Sequence, residues 1–275
     1  MPDGVLKIDI ESGKAYSGLG DIAMLAWLAE GCRRAGRAVA FHRLRNRELA
    51  DVLGLPVDPE PGGVLLDPAY KAEVADRCRR PRLDYIREFL NIPEEPARPA
   101  VRIPDADRAW AAERANELGD PLVLLFPQTA WTTREWPASY WVDLAWRLKA
   151  ADVPVVLLLS PKDPRFENTP AYWWGTPLEK VAAMIERAAL VVGNDSFPAH
   201  LAGTLGVPTL ALMGPTRPTV FAHAASVECM ASAAIECTGC HFSAPFRAAC
   251  DQGCQSLFRL YPDDVLRRVR EMVRG

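Results

Sequence analysis

The residues best suited to chemistry in this 275-residue chain gather in three polar breaks between apolar runs. Asn194-Asp195-Ser196 follows the apolar run Leu190-Val191-Val192-Gly193, with His200 four residues beyond Ser196, and Gly214-Pro215-Thr216 closes the next apolar run, residues 207–213. A carboxylate, hydroxyls and an imidazole where a strand gives way to a helix suit an anionic ligand, because a helix N-terminus presents open N–H groups and a positive dipole end. His200 sits in the first turns of that helix, where a lone histidine is ordinarily packed or solvated; its closeness to Asp195 and Ser196 favours a functional role. The second break, residues 127–137 (PQTAWTTREWP), supplies the donors Gln128, Thr129, Thr132, Thr133 and Arg134. A guanidinium among hydroxyls suits a diphosphate. The same loop also reads as an ordinary polar connection held down by Trp131 and Trp136. The third break is Ser17-Gly18-Leu19-Gly20-Asp21. Asp21 there is either an N-cap aspartate or a general base.

The elements around these breaks follow a strand–turn–helix–strand rhythm. Residues 5–10 read as a strand, 21–35 as a helix and 38–42 as a second strand. Residues 47–53 and 69–90 read as helices with a short strand near 62–67 between them. Strands at 122–126 and 153–159 alternate with helices at 105–118, 138–150 and 177–188. The strand at 190–193, a short helix stopped by Gly206 and the strand at 207–213 form one further βαβ unit. An amphipathic helix over 262–274 ends the chain. Strands alternating with helices of this length predict parallel, doubly wound α/β sheets. Residues 91–104 (NIPEEPARPAVRIP) hold four prolines and read as a linker. The expected domains are therefore 1–100 and 101–275, with a ligand cleft between them.

Composition narrows the classes of function. Hydrophobic residues are 49 % of the chain, enough for a substantial core, while 32 basic against 35 acidic residues give net charge −3 and no basic footprint for nucleic acid. No apolar run approaches the roughly 20 residues that span a bilayer, so no transmembrane segment is expected. The start, MPDGVLKIDI, lacks the regions of a signal peptide, and the expected location is cytoplasmic. Asp105-Ala106-Asp107 matches a metal-holding D-x-D pattern, but acidic residues in a first helical turn need no further reason.

Four of the seven cysteines, Cys237, Cys240, Cys250 and Cys254, form C-x2-C-x9-C-x3-C. This is the spacing of a tetrathiolate site for structural zinc or iron, pinning a cysteine-rich loop at 236–257 that has little apolar content. Disulfides or unligated thiols are the alternatives. A closed four-sulfur site leaves no open coordination position for catalysis.

Taken together, Phe126-Pro127 with Arg134-Glu135-Trp136-Pro137, Trp174-Gly175-Thr176, Leu178-Glu179, the run Asn194-Asp195-Ser196-Phe197-Pro198-Ala199-His200-Leu201-Ala202, Pro208-Thr209 and Gly214-Pro215-Thr216 resemble glycosyltransferase family nine, the ADP-heptose:lipopolysaccharide heptosyltransferases. Order and spacing agree over about residues 122–254. In the first half Gly18-Leu19-Gly20-Asp21 and its helix match. The resemblance implies a GT-B-like α/β fold of two Rossmann-like domains with parallel sheets, the N-terminal acceptor-side domain shortened. It implies inverting, metal-independent transfer of a heptose or related sugar from a nucleoside-diphosphate sugar, with ADP as the favoured nucleotide, to an acceptor glycan, small molecule or protein. Asp21 falls on the family's proposed base and Arg134 on the basic residue that meets the donor phosphates. Asp195, Ser196, His200 and Thr216 fall in the donor site, with Thr129 and Thr132 in the phosphate-side loop. The family usually has glycine where this chain has Phe197, which motivates an alternative: a non-catalytic relative that binds a nucleotide sugar or a partner.

Overall fold

In the computed structural model, which describes residues 5–10, 16, 18–44, 46–60, 62–233, 238–242 and 253–274, the chain divides into two units. One comprises residues up to Arg102 together with Thr219–Ala224; the other comprises Ile103–Pro218 and the chain from Ala225 onward.

The first unit begins with β1 (Leu6–Asp9), α1 (Leu19–Arg34) and β2 (Val39–His42), followed by α2 (Arg47–Val52), β3 (Val64–Leu65), α3 (Asp67–Ala75) and α4 (Arg82–Leu90). Its strands are parallel in the order β2-β1-β3. Helix α1 is buried almost all round, from Ile22 to Ala29 and again at Gly31 and Cys32, which is why its sequence shows so broad an apolar face. Gly31 has a specific reason. A Cβ there would lie 2.1 Å from the Glu95 carbonyl oxygen, so only glycine lets the proline-rich segment pass across the helix.

The single helix expected over 69–90 does not form. The chain turns between α3 and α4 at Arg77 and Cys78, both with positive φ (54° and 51°), before Pro81 caps the second helix. Pro81 was the signal: its ring excludes a continuing helix. The start of α1 also differs. The helix opens at Leu19 behind Gly18, so Asp21 is in its first turn rather than at its N-cap.

The second unit contains, in order, α5 (Asp105–Leu118), β4 (Val123–Phe126), α6 (Ala138–Ala150), β5 (Val155–Leu159), β6 (Tyr172–Trp174), α7 (Leu178–Arg187), β7 (Leu190–Asn194), α8 (Phe197–Leu205), β8 (Thr209–Met213), β9 (Val227–Ala231), α9 (Gln255–Phe258) and α10 (Pro262–Arg274). The six strands are parallel in the order β6-β5-β4-β7-β8-β9, winding outward in both directions from β4. Strands β4, β5, β7 and β8 are buried throughout, as expected for a parallel sheet covered on both faces. The core on one side joins Leu125, Leu157, Val192 and Leu212 to Trp136, Trp141 and Leu144, and to Val265 and Val269 of α10. The outer strands β6 and β9 were not legible in the sequence. One has three residues, and the other (VECMA) mixes glutamate with apolar residues because it is only half-buried.

Candidate functional site

The ends of three adjacent strands build the site in the second unit. Strand β4 ends at Phe126 and opens into residues 127–137, β7 ends at Asn194 and opens into Asp195 and Ser196, and β8 ends at Met213 and opens into residues 214–216. In a doubly wound sheet the crevice at the carboxyl ends, where the strand order reverses, is the ligand position. Here that reversal lies between β4 and β7.

Asn194 ties the edge together. It is fully buried, its Nδ2 donates to the Pro127 carbonyl at 2.6 Å, and its Oδ1 accepts the Trp136 N–H at 3.0 Å. Both ends of the 127–137 loop are thereby fastened to β7. Trp136 is buried, with its indole N–H on the Leu260 carbonyl at 2.7 Å. Trp131 is less deeply packed than Trp136, being 41 % exposed. Gln128 fastens the loop too: its amide donates to the Pro161 carbonyl at 3.2 Å and accepts the Ser160 N–H at 2.7 Å, so this side chain is committed to the protein itself.

Arg134, at the end of a short 3-10 turn over Thr132–Arg134, reaches Asp195. Its Nη1 donates to Oδ2 at 3.2 Å, and Thr216 Oγ1 donates to the same oxygen at 2.6 Å. His200 Nε2 stands 3.7 Å from Asp195 Oδ1, within ion-pair range when protonated. Burial pushes the Asp195 carboxyl up, but His200, the charge of Arg134 and the Thr216 hydroxyl together outweigh it. The carboxyl is held well below the usual carboxylate range. The guanidinium lies 4.5 Å above the Trp131 ring, which itself packs on His241 at 4.7 Å between centroids. Two polar atoms in this constellation, Arg134 Nε and Ser196 Oγ, are buried with no hydrogen-bond partner among the described residues. Ser196 occupies the N-cap of α8 without its hydroxyl making a cap bond. Phe197 follows at the first helical position, partly buried.

Of the sequence-predicted donor residues, Arg134, Asp195, Thr216 and His200 thus meet around one carboxylate, with Ser196 beside them. Thr132 opens the turn that carries Arg134, and the Thr129 hydroxyl accepts the Trp131 N–H at 3.4 Å. Asn194 was missed as a positioning residue; the available signal was an amide at the end of a buried apolar run.

In the first unit, Asp21 is partly exposed. Its Oδ2 accepts the Gly18 N–H at 3.2 Å, the returning half of a capping box. Its Oδ1 accepts Arg82 Nη1 at 3.0 Å. Asp105 is fully exposed and Asp107 sits with it in the first turn of α5, as ordinary dipole-compensating residues do.

Of the four cysteines, Cys237 and Cys250 lie outside the described residues. Cys240 opens a short 3-10 turn, and Cys254 is buried at the start of α9, its Sγ 3.0 Å from where a Cβ on Gly214 would stand. Backbone bonds from Gly239 to Gly214 (2.9 Å) and from His241 to Pro215 (2.7 Å) hold this segment against the loop that carries Thr216. Among the described residues no group of three or more His, Cys, Asp or Glu side chains is placed to hold a metal ion. None of the described helices is long and apolar enough to cross a membrane.

A parallel, doubly wound sheet with a guanidinium and hydroxyls at its switch point defines an α/β protein whose strand-end crevice can accept an anionic group. The sequence profile of glycosyltransferase family 9 (heptosyltransferase) matches residues 80–248, more than half of the chain, which therefore belongs to that family. Lipopolysaccharide heptosyltransferase 1 of Pseudomonas aeruginosa is 34 % identical over 109 residues, a match spanning 36 % of this chain and 30 % of the relative, under a third of its length. Among solved structures, the family 9 glycosyltransferase of Veillonella parvula superposes with a TM-score of 0.71 at 18 % identity, covering 99 % of this chain and 98 % of its own. The iron-containing dodecameric glycosyltransferase TibC of enterotoxigenic E. coli superposes with a TM-score of 0.71 at 14 % identity, covering 99 % of this chain and 77 % of its own. These likenesses establish the GT-B-type α/β fold.

Proposed function

We propose that this chain is an inverting glycosyltransferase that moves a heptose or related sugar from a nucleoside diphosphate, ADP in the first instance, to an acceptor hydroxyl. The observation that carries the reading is the Arg134–Asp195–Thr216 constellation at the β4/β7 switch point, where Arg134 Nε and Ser196 Oγ are buried with no hydrogen-bond partner among the described residues. Such groups stabilise an anion that replaces their lost water. Asp195 spends its charge on holding Arg134 and Thr216, which leaves the remaining guanidinium N–H groups for the diphosphate. Thr129, Thr132, Ser196 and His200 complete the donor side with the N-terminus of α8.

In the reaction, the acceptor oxygen attacks the anomeric carbon, its proton passes to the Asp21 carboxylate, and the bond from that carbon to the diphosphate oxygen breaks with its electron pair leaving on the diphosphate. Arg134 offsets the charge that develops there without a metal ion. Residues 1–100 would serve the acceptor and 101–275 the donor. A nucleotide-sugar donor is a cytoplasmic metabolite, which supports a cytoplasmic reaction. Acceptor classes are a glycan, a small molecule or a protein. Asp21→Ala should abolish transfer while leaving the ADP dissociation constant within about twofold; retained transfer removes Asp21 from the base role.

A second reading, a non-catalytic nucleotide-sugar binder, draws on Phe197, whose ring occupies the first position of α8 beside Ser196. ADP binding by calorimetry with no release of ADP from ADP-heptose would favour it.

Cys237, Cys240, Cys250 and Cys254 would hold one structural zinc or iron. The spacing supports this, as does the burial of Cys254 against Gly214. Bound, the metal would pin the loop beside residues 214–216. Elemental analysis of protein purified without chelators should give about one metal ion per chain; a ratio near zero would sink the claim.

A further inference from the structure

Asp21 is the outer end of a buried polar network that the reaction chemistry does not itself call for. Glu73 of α3 is fully buried and accepts three donors: Tyr16 Oη at 2.6 Å, Cys78 Sγ at 2.6 Å and Arg82 Nε at 2.7 Å. The same guanidinium donates through Nη1 to Asp21 Oδ1. Burial works against the charge on Arg82, but Asp21 and Glu73 outweigh it and keep it firmly protonated. Burial first, and Glu73 after it, hold the Tyr16 phenol and the Cys78 thiol above their usual ranges, so both remain donors. Thr219 Oγ1 donates to the Cys78 carbonyl at 2.8 Å, fastening the turn that carries it. That turn is the one bent through two successive left-handed residues, Arg77 and Cys78. Strain of this kind persists where the surroundings over-determine the backbone.

We propose that Arg82, oriented by Glu73, is the positioning residue for Asp21 in the transfer reaction. The inference rests on the general-base reading of Asp21. A guanidinium is a planar fork, so fastening Nε to a buried carboxylate fixes where Nη1 points. Asp21 is then held at both oxygens, by Arg82 on Oδ1 and by the Gly18 N–H on Oδ2. Each oxygen keeps a second lone pair for a proton. A base held in one rotamer meets the acceptor hydroxyl without first paying to order itself. A lysine at position 82 would keep the charge but could not span the two carboxylates with the same geometry.

The experiment must separate positioning from scaffolding, because removing Arg82 alone leaves Glu73 as an uncompensated buried charge and destabilises the fold for that reason. Arg82→Met is therefore paired with the double variant Glu73→Gln/Arg82→Met, in which no buried charge is orphaned and the glutamine can still bond Tyr16 and Cys78. Thermal midpoints are recorded for each. ADP release from ADP-heptose, with water in the acceptor's place, is measured below every variant's unfolding transition.

The expected result is a midpoint lowered in the single variant and recovered in the double. In both, kcat falls tenfold or more and KM for ADP-heptose stays within twofold of the unsubstituted protein. Arg82→Lys should fall between. A double variant with unchanged kcat would make the network a scaffold and overturn the proposal. Asp21→Asn with unchanged kcat would instead overturn the general-base reading beneath it, and an inactive Asp21→Asn beside a fully active double variant would overturn the positioning role alone. No ADP release by the unsubstituted chain would refute both.

Discussion

Arg134→Ala tests the donor site most directly. The guanidinium gives Nη1 to Asp195 at 3.2 Å and its face to Trp131, while Nε has no hydrogen-bond partner among the described residues. A charge-assisted hydrogen bond to a diphosphate contributes about 1.5–3 kcal/mol. Arg134 retains 21 % side-chain exposure, and solvent screening moves the expectation to the lower half of that range. A loss of about 1.5–2 kcal/mol corresponds to a roughly 10–30-fold rise in the dissociation constant for ADP. Titration calorimetry with ADP, and with adenosine as the uncharged control, reads this directly: ADP should weaken and adenosine should not. Arg134→Lys keeps the charge without the fork and should weaken ADP by only about 3–10-fold. The alanine variant also strands the Asp195 carboxylate with Thr216 and His200 alone. We expect a stability loss of about 2 kcal/mol, or roughly 4–8 °C in Tm for a unit of this size, so the titrations belong well below that transition. An alanine variant that binds ADP within twofold of the unsubstituted protein would refute the assignment of Arg134 to the phosphates.

Asp195 makes the folded state sensitive to acid. Its folded pKa lies below its unfolded value of about 3.9, so its stabilisation is complete above that pH and is lost as pH falls through the folded pKa. Asp195→Asn should be less stable near neutrality, yet its urea midpoint should fall less steeply between about pH 4 and pH 2 than that of the unsubstituted protein; parallel curves would count against the pairing. Gly31→Ala should destabilise the first unit by about 1–3 kcal/mol, since the added methyl meets the backbone of Glu95 rather than a side chain that could swing away. Chemical denaturation reads this, and an unchanged midpoint would mean that the proline-rich segment does not cross α1 so closely.

Much of the second unit was legible because its parts are local. Continuous apolar strands of four or five residues, helices opened by proline, and polar residues at strand ends are short-range features. They located Arg134, Asp195, Ser196, His200 and Thr216 before any contact was known. What short-range signals left out were the elements set by their neighbours. The edge strands β6 and β9 are held by pairing rather than by apolar pattern; the break between α3 and α4 has a local signal in Pro81, but the Tyr16 and Thr219 bonds that fasten its surroundings come from 57 and 141 residues away.

The sequence alone determined the family, the alternation that yields parallel sheets, and the residue types available at each strand end. Only the tertiary structure decided which of them meet. Arg134 finds Asp195, and Arg82 finds Asp21, each across 61 residues of chain. Asn194 proves to hold both ends of one loop, and Gln128, a candidate ligand by type, is consumed by the protein itself. The reason is physical: a side chain's chemistry is fixed by its covalent structure, but the partner that spends or preserves it is chosen by long-range packing.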